Sequence, residues 1–248
     1  MVLFPSDYEA HPHLVPSRGA ALRLTFIVPV YNEVATVAQV LDRVEALPFT
    51  KQIIVVDDGS TDGSSDVLSA WADATGGVVL RQPNSGKGAA IRAAIPHITG
   101  DVVVVQDADG EYDPVDVPRL VEPIARGVAD VVFGSRLSGG QPQRAYLFWH
   151  LVGNRFLSLL TNVLFNTTLS DMETGYKVFR ADVLRSLDLR ENGFGIEPEI
   201  TGKICKQRRR IYELPVAYYG RSYSEGKKIT WKDGVRAVGV LLAVRLNR

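Results

Sequence analysis

The chain has 248 residues, and its 28 Lys and Arg balance 28 Asp and Glu, so the formal net charge is zero. Because proteins bind duplex nucleic acids mainly through an excess of Lys and Arg that faces phosphates, this balance argues against a nucleic-acid-binding protein. The hydrophobic content of 46% and the charged content of 23% exclude a chain that is mainly disordered.

Basic residues are concentrated at one end of the chain. Residues 203–248 contain 12 basic and 3 acidic residues, which gives this stretch a charge of +9 and leaves −9 on residues 1–202. The asymmetry favours an anionic partner at the basic end and metal or acid-rich chemistry elsewhere. Cys205 is the single cysteine, so we expect no disulfide framework, no thiolate metal cluster and a reducing, cytoplasmic location.

Three segments are predicted along the chain. Residues 1–22 show neither the period of a strand nor that of a helix, which predicts a flexible leader. They also lack the basic start and apolar run of a secretory signal, which we therefore do not expect. Residues 23–230 are predicted to form one folded domain, followed by a basic amphipathic segment over residues 231–248.

From residue 24, short apolar runs alternate with helical patterns. The apolar runs predict strands at residues 24–30, 53–56, 78–80 and 102–105. The helical patterns predict helices at about residues 33–46, 62–73 and 87–95. Because the apolar runs are continuous, the strands are expected to be buried on both faces. The pattern predicts an α/β fold with a mostly parallel sheet flanked by helices.

Acidic side chains follow three of the predicted strands. Glu33 follows the first, Asp57 and Asp58 follow the second, and Asp107 and Asp109 follow the fourth. Ligands of parallel α/β sheets bind at the carboxyl ends of the strands, so these acids are expected to meet at one edge. Asp107 and Asp109 can share one Mg²⁺ that also contacts substrate phosphates. The alternative is a set of solvated turns, with residues 57–62 as a tight turn and a helix N-cap.

Residues 84–90 are rich in glycine and open a predicted helix. They do not match the phosphate-binding loop Gly-x4-Gly-Lys-Ser/Thr, since the first glycine is missing and Gly88 follows Lys87. Two interpretations stay open. The segment is either a helix start that approaches a nucleotide, with Lys87 as a charge partner, or an element required only for packing.

Several short motifs occur in a fixed order along the chain. They lie at residues 29–33 (PVYNE), 57–62 (DDGSTD), 86–90 (GKGAA), 107–109 (DAD), 134–136 (GSR), 171–177 (DMETGYK), 197–199 (EPE) and 221–228 (RSYSEGKK). This ordered set, over about residues 24–236, resembles the family 2 glycosyltransferases of the GT-A fold. Within that family it is similar to the dolichyl- and polyprenyl-phosphate sugar synthases.

The resemblance implies roles for individual residues. The nucleobase and ribose would be held by Pro29, Tyr31, Glu33 and Asp58, with Lys87 nearby. Asp107 and Asp109 would hold Mg²⁺ or Mn²⁺ against the nucleotide diphosphate. Around the diphosphate and the acceptor phosphate would lie Arg136, Arg221, Lys227 and Lys228. The catalytic residues would be Asp109, Arg136, Asp171 and Glu197.

The implied reaction moves one sugar, with inversion, from a nucleotide-sugar to polyprenyl or dolichyl phosphate. The residues after Asp109 and around Gly175 look closer to the dolichyl-phosphate glucosyltransferases, so UDP-glucose is preferred over GDP-mannose as donor. A phosphate monoester is already anionic at pH 7 and does not strictly need a general base. Asp171 or Glu197 can serve as a residual base or can bind a sugar hydroxyl.

Three other functions remain as alternatives at this point. A related transferase would elongate a glycan on a sugar hydroxyl, and this reaction would need a general base near the sugar. A sugar nucleotidyltransferase also combines an α/β fold with paired acids, but the first strand is not followed by a Gly-x-Gly signature. A non-catalytic nucleotide-binding module is disfavoured by the intact pair Asp107 and Asp109.

A further prediction concerns a membrane surface. If residues 143–165 form one helix, Arg144 and Arg155 share a face but lie about 16 Å apart, too far to bind one phosphate. Either the helix breaks between them or only one meets the acceptor. The apolar face of this stretch is either a core contact or an interface for the polyprenyl chain, and residues 231–248 form either a membrane-binding helix or a solvated tail. We expect a peripheral protein at the inner face of the membrane and leave open whether it forms a homo-oligomer.

Overall fold

The computed structural model describes residues 22–145, 148–221 and 231–247. The predicted leader, apart from residue 22, lies outside the described residues, as do Lys227 and Lys228. The strands are β1 (Leu24–Val30), β2 (Lys51–Asp57), β3 (Val78–Arg81), β4 (Val102–Val105), β5 (Val131–Ser135), β6 (Lys177–Arg180) and β7 (Ile211–Pro215). The helices are α1 (Val37–Glu45), α2 (Ser64–Thr75), α3 (Lys87–Ala94), α4 (Val117–Ala125), α5 (Phe148–Phe165), α6 (Ala181–Arg185), α7 (Ile196–Lys206) and α8 (Trp231–Leu246).

All seven strands belong to one sheet, in the order β3-β2-β1-β4-β6-β5-β7. β1 pairs in parallel with β2 and β4, and β2 pairs in parallel with β3, so the carboxyl ends of these strands meet at one edge. β6 is antiparallel to both of its neighbours, β4 and β5. The predicted α/β fold with a mostly parallel sheet flanked by helices is confirmed. The reversed strand, which the sequence did not reveal, brings the loop that precedes it, residues 171–176, to the same edge.

Both faces of the sheet are buried, as the continuous apolar runs predict. Phe26 and Val28 of β1 pack in the core beneath α1 and α4, while Ile27 between them packs in the opposite core beneath α3 and α7. All three side chains have no exposed surface. Alternate residues of one strand therefore stabilise two separate layers of helices, which fixes the register of the strand.

The first helix begins later than the sequence pattern predicts. The chain turns at Asn32, whose φ of 53° lies in the left-handed region. In the turn that follows, the hydroxyl of Thr36 donates a hydrogen bond to the carbonyl oxygen of Ala108 at 2.8 Å. α1 therefore starts at Val37, and the turn before it joins the end of β1 to the end of β4.

The C-terminal helix α8 packs against α5 and α7. Leu157 of α5, Met172, and Ala237 and Leu241 of α8 form a separate buried cluster. Residues Trp231–Leu246 are thus a helix with a packed inner face rather than a solvated tail. Among the described residues, no helix is both long enough and apolar enough to cross a bilayer.

The tight packing of α3 leads to a test of the fold. A Cβ atom at the buried Gly88 would overlap the backbone carbonyl of Glu191, whereas nothing lies within 4 Å of a Cβ at Gly239 of α8. We expect Gly88→Ala to lower the free energy of unfolding by about 1–3 kcal/mol, because the backbone of one segment must shift. Gly239→Ala, the matched control, should raise it by about 0.5–1 kcal/mol, because alanine favours helix. Urea unfolding followed by circular dichroism measures both, and equal stability of the two variants would contradict the packing described.

Candidate functional site

A cavity of about 1090 Å³ opens at the edge where the parallel strands end. Most of the residues expected at a site line it together: Pro29, Tyr31, Glu33, Asp58, Lys87, Asp107, Asp109, Arg136, Arg144, Glu197 and Arg221. The acids that follow β1, β2 and β4 therefore lie together at one edge of the sheet, as the sequence predicts. What each side chain does there depends on its contacts.

Asp58 positions the glycine-rich loop. Its carboxylate accepts hydrogen bonds from the backbone N–H groups of Ser85 and Gly86, at 2.9 and 2.7 Å, and from the side chain of Gln82. These contacts fix the start of α3 at the wall of the cavity. Asp58 thus positions the loop, and the loop in turn forms part of the cavity wall against which a ligand would bind.

The glycines of this loop allow close backbone packing, and Lys87 between them lines the cavity. Gly86 has a φ of 99°, and a Cβ atom there would lie 2.5 Å from the carbonyl oxygen of Asn192. The close approach of the two backbones leaves Lys87 directed inward, with its side chain 15% exposed. Both interpretations of the segment are therefore compatible with the geometry.

Lys87 and Lys177 form a largely buried chain of ion pairs with two carboxylates. Lys87 Nζ lies 2.7 Å from Asp107 Oδ1 and 3.1 Å from Glu197 Oε1. Lys177 Nζ lies 2.6 Å from Glu197 Oε2. Burial alone would raise the pKa of Glu197, but the two ammonium groups hold that pKa below its ordinary value. A carboxylate stabilised in this way is a weak proton acceptor.

Gly175 keeps space for this chain. A Cβ atom there would lie 2.5 Å from Asp107 Oδ2 and 2.9 Å from Lys87 Nζ. A larger residue at this position would therefore displace the ends of these two side chains from their present positions.

A second cluster surrounds Asp109. The guanidinium of Arg221 binds both carboxylate oxygens of Glu33, at 2.9 and 3.1 Å, and lies 3.4 Å from Asp109 Oδ2. The backbone N–H of Arg221 donates to Glu111 at 2.6 Å. Burial, together with the charges of Asp107 and Glu111, raises the pKa of Asp109 to about 7. Additional positive charge at this position would stabilise the ionised cluster.

The residues expected to hold a metal fit that role in part. The described residues contain no group of three or more His, Cys, Asp or Glu side chains arranged around one metal position. Mg²⁺ usually takes one or two protein carboxylates and completes its shell with water and substrate phosphates. Asp107 and Asp109, on either side of Ala108 at the cavity wall, match such a site, in which the substrate supplies the remaining ligands.

Arg136 is fixed by the carboxylate of Asp171. Its Nε and one terminal nitrogen donate to the two oxygens of Asp171 at 2.7 and 2.8 Å, and its backbone N–H adds a third bond at 2.9 Å. The Arg136 guanidinium carbon lies 5.2 Å from the centre of the Tyr218 ring. Asp171 is fully buried, so it orients Arg136 and is not arranged as a base.

The other basic residues divide between inside and outside the cavity. α5 begins at Phe148, so Arg144 precedes the helix, lines the cavity and donates to the carbonyl of Gly220 at 3.0 Å. Arg155, on α5, is exposed and does not line the cavity. The structure thus places Arg144, and not Arg155, at the cavity wall, while Lys227 and Lys228 lie outside the described residues.

Three charged residues at the site were not singled out from the sequence. Lys177 pairs with Glu197, Glu111 accepts from Arg221, and Glu173 lines the cavity. Lys177 and Glu173 lie inside the motif at residues 171–177, and Glu111 lies two residues after Asp109. The motifs therefore contained the signal, but nothing in the sequence ranked these side chains above their neighbours.

Comparison with known proteins gives a family. Residues 25–188 match the family model described as "Glycosyl transferase family 2". The chain is 32% identical over 228 residues to glycosyltransferase AglJ of Haloferax volcanii, covering 92% of this chain and 71% of that protein. It is also 32% identical over 224 residues to an undecaprenyl-phosphate mannosyltransferase of Micrococcus luteus, covering 83% of this chain and 87% of that protein.

A solved structure shows the same fold. Glucosyl-3-phosphoglycerate synthase from Mycobacterium tuberculosis, crystallised with Mn²⁺, UDP and glucosyl-3-phosphoglycerate, superposes with a TM-score of 0.68 at 21% identity. The match covers 98% of this chain and 85% of that one. The family match, the two relatives and the shared GT-A architecture agree with the motifs in the sequence, and the chain belongs to glycosyl transferase family 2.

Proposed function

We propose that this protein transfers one sugar from a nucleotide-sugar to a polyprenyl phosphate, with inversion at the anomeric carbon. The observation that carries the proposal is that acidic side chains and arginines line one cavity. We call the part formed by the residues after β1 and β4 the acidic wall, and the part formed by the residues after β5 the basic wall. Glu33, Asp107 and Asp109 lie on the first, and Arg136 and Arg144 lie on the second. Such a cavity suits two phosphate-bearing substrates, one bound through a metal ion and the other bound by arginine.

The acidic wall is the proposed donor side. Tyr31, Glu33 and Asp58 would contact the nucleoside, and Asp107 and Asp109 would hold Mg²⁺ or Mn²⁺. When bound, the metal would offset the charge that develops on the leaving diphosphate. Lys87 adds a fixed positive charge beside Asp107 and thereby favours the same leaving group.

The basic wall is the proposed acceptor side. A phosphate monoester carries at least one negative charge at pH 7, and Arg136 is held ready for it by Asp171. An acceptor oxygen would form the new bond to the anomeric carbon as the bond from that carbon to the nucleotide diphosphate breaks. A single displacement of this kind inverts the anomeric configuration.

The pairing of Asp171 and Glu197, the two acids predicted as a base, favours a phosphate acceptor over a sugar hydroxyl. A hydroxyl acceptor must lose a proton to a base during the reaction. Asp171 is bound to Arg136, and Glu197 lies between two lysines. Elongation of a glycan is therefore the second candidate.

The surface beside the cavity supports a lipid acceptor. α5 exposes apolar side chains within an arc of about 100°, namely Phe148, Trp149, Val152, Phe156, Leu159 and Val163. α8 exposes a similar row within an arc of about 60°, formed by Trp231, Val235, Leu242 and Leu246. His150, Leu151 and Asn154 of α5 also line the cavity. A polyprenyl chain can thus follow α5 from a membrane surface to the reacting phosphate, which suits a peripheral protein at the cytoplasmic face.

The substrates are tested with a panel of labelled sugar nucleotides, Mg²⁺ or Mn²⁺ and a short polyprenyl phosphate. We expect label in the lipid fraction, with UDP-glucose a better donor than GDP-mannose. The matching polyprenol without phosphate should give no product, because Arg136 then has no anion to bind. If no donor gives a lipid product, the acceptor class is wrong, and faster turnover of GDP-mannose would reverse the donor preference.

The acidic pair is tested by Asp109→Asn. Loss of one carboxylate should lower kcat by about a hundredfold or more, because the charge on the leaving diphosphate is then poorly offset. Asp188→Asn is the control. The Asp188 side chain is 74% exposed, and among the described residues it forms an ion pair with the exposed Arg190. Full turnover by Asp109→Asn would exclude the catalytic role.

The apolar face of α5 is tested with vesicles of phosphatidylglycerol and phosphatidylcholine. Trp149→Glu combined with Phe156→Glu should weaken sedimentation with the vesicles by about tenfold or more, because each aromatic side chain contributes about 1.5–3 kcal/mol when buried. Val115→Glu changes a side chain that is 68% exposed outside α5 and α8, and it should bind like the wild type. Equal binding of all three proteins would show that this face does not contact lipid.

A further inference from the structure

Glu173 is a carboxyl group at the cavity wall that the proposed reaction has not yet used. It belongs to the loop of residues 171–176, which the reversed strand β6 brings to the edge of the cavity. Its Oε1 atom is buried and has no hydrogen-bond partner among the described residues. A buried carboxyl oxygen without a partner is costly, so the position calls for a ligand group that provides one.

The other carboxylates that line the cavity already have partners within the described chain. Asp58 accepts from the loop before α3, and Asp107 and Glu197 pair with Lys87. The remaining ones, Glu33, Asp109 and Glu111, contact Arg221. Glu173 therefore differs from them in having an oxygen that is left for a substrate.

The charges around Glu173 come from four neighbours. Lys177 of β6 and Arg136 after β5 favour its ionised form, whereas Glu197 of α7 and Asp171 of the same loop oppose it. Burial outweighs the two cations and raises the pKa of Glu173 to about 7. An anion bound by Arg136 would cancel part of that positive charge and add negative charge nearby. Both effects would favour the protonated carboxyl.

We propose that Glu173 acts as a neutral carboxylic acid that donates a hydrogen bond to the acceptor phosphate held by Arg136. This inference rests on the proposed function, because it takes the anion at Arg136 to be the acceptor. It assigns Glu173 to acceptor binding and gives the general-base role to none of the acids at the site. No covalent bond changes at Glu173 in this step.

The proposal makes acceptor binding depend on proton uptake. Above the pKa of the free protein, Glu173 is mostly ionised and must take up a proton when the phosphate arrives. Affinity should then fall by up to about tenfold for each pH unit above about 7, since one pKa unit corresponds to a factor of ten. Below that pH the carboxyl is already neutral, and affinity no longer depends on this proton.

The experiment is calorimetric titration of the whole protein with farnesyl phosphate at about pH 8, in two buffers of different ionisation enthalpy. At this pH the probe is already a dianion, because its second pKa is about 6. We expect the wild type to take up about one proton for each farnesyl phosphate bound. Glu173→Gln keeps a hydrogen-bond donor without a titrating group, so it should bind with no proton uptake and with affinity that is flat between about pH 7 and 9.

Two further variants complete the test. Glu173→Leu loses the donor and should bind about tenfold more weakly at about pH 6. Glu122→Gln removes a carboxylate that is 63% exposed on α4 and does not line the cavity. This variant should retain the proton uptake of the wild type. Thermal unfolding of each variant shows whether it is folded before it is titrated.

The outcomes separate the two proposals. If the wild type binds sugar nucleotides but not farnesyl phosphate, the proposed acceptor is wrong, and the role of Glu173 is overturned with it. If the wild type binds farnesyl phosphate but Glu173→Gln takes up the same number of protons, only the role of Glu173 is overturned. Tighter binding by Glu173→Leu would likewise overturn it, since removal of an ionised carboxylate, and not of a donor, strengthens binding of an anion.

Discussion

The ion pairs of Lys87 hold the site together. Lys87 begins α3, Asp107 follows β4, Glu197 lies on α7, and Lys177, which also binds Glu197, begins β6. Four elements that are distant in sequence thus meet through alternating charges, and Lys177 and Glu197 among them are buried. Removal of one member of such a set leaves an uncompensated charge, which typically costs about 3–5 kcal/mol. The shape of the cavity and the stability of the domain therefore depend on the same contacts.

Although the net charge of the chain is zero, its acidic and basic residues are unevenly distributed. The acids after β1 and β4 and the arginines after β5 line the same cavity, and Arg221 binds Glu33. Arg136 is held by Asp171, and Glu33 and Asp109 are held by Arg221, before any substrate is bound. In the proposed reaction, two anionic substrates would replace part of these contacts, so that little reorganisation of the protein is required.

The sequence predicted the parallel half of the fold well and the other half poorly. β1 and β4 were found because their apolar runs are continuous, and Asp107 and Asp109 were found because they end such a run. β6 was missed because an antiparallel strand inside a parallel sheet is set by contacts with β4 and β5 that are distant in sequence. Glu173 was missed for the same reason, because a buried oxygen without a hydrogen-bond partner can be recognised only in the folded structure. The start of α5 at Phe148 likewise separated Arg144 from Arg155, which helical spacing alone could not decide.

The reversed direction of β6 has a consequence for how the chain is divided. A parallel strand presents the loop that follows it, whereas β6 presents the loop that precedes it, so residues 171–176 reach the edge of the sheet directly after α5. The basic wall is therefore built largely from one continuous stretch, residues 136–176, and the acidic wall largely from residues 29–111. The two substrate sites are separable as lengths of polypeptide. An exchange of residues 136–176 between relatives would replace one wall and leave the four parallel strands of the other wall in place.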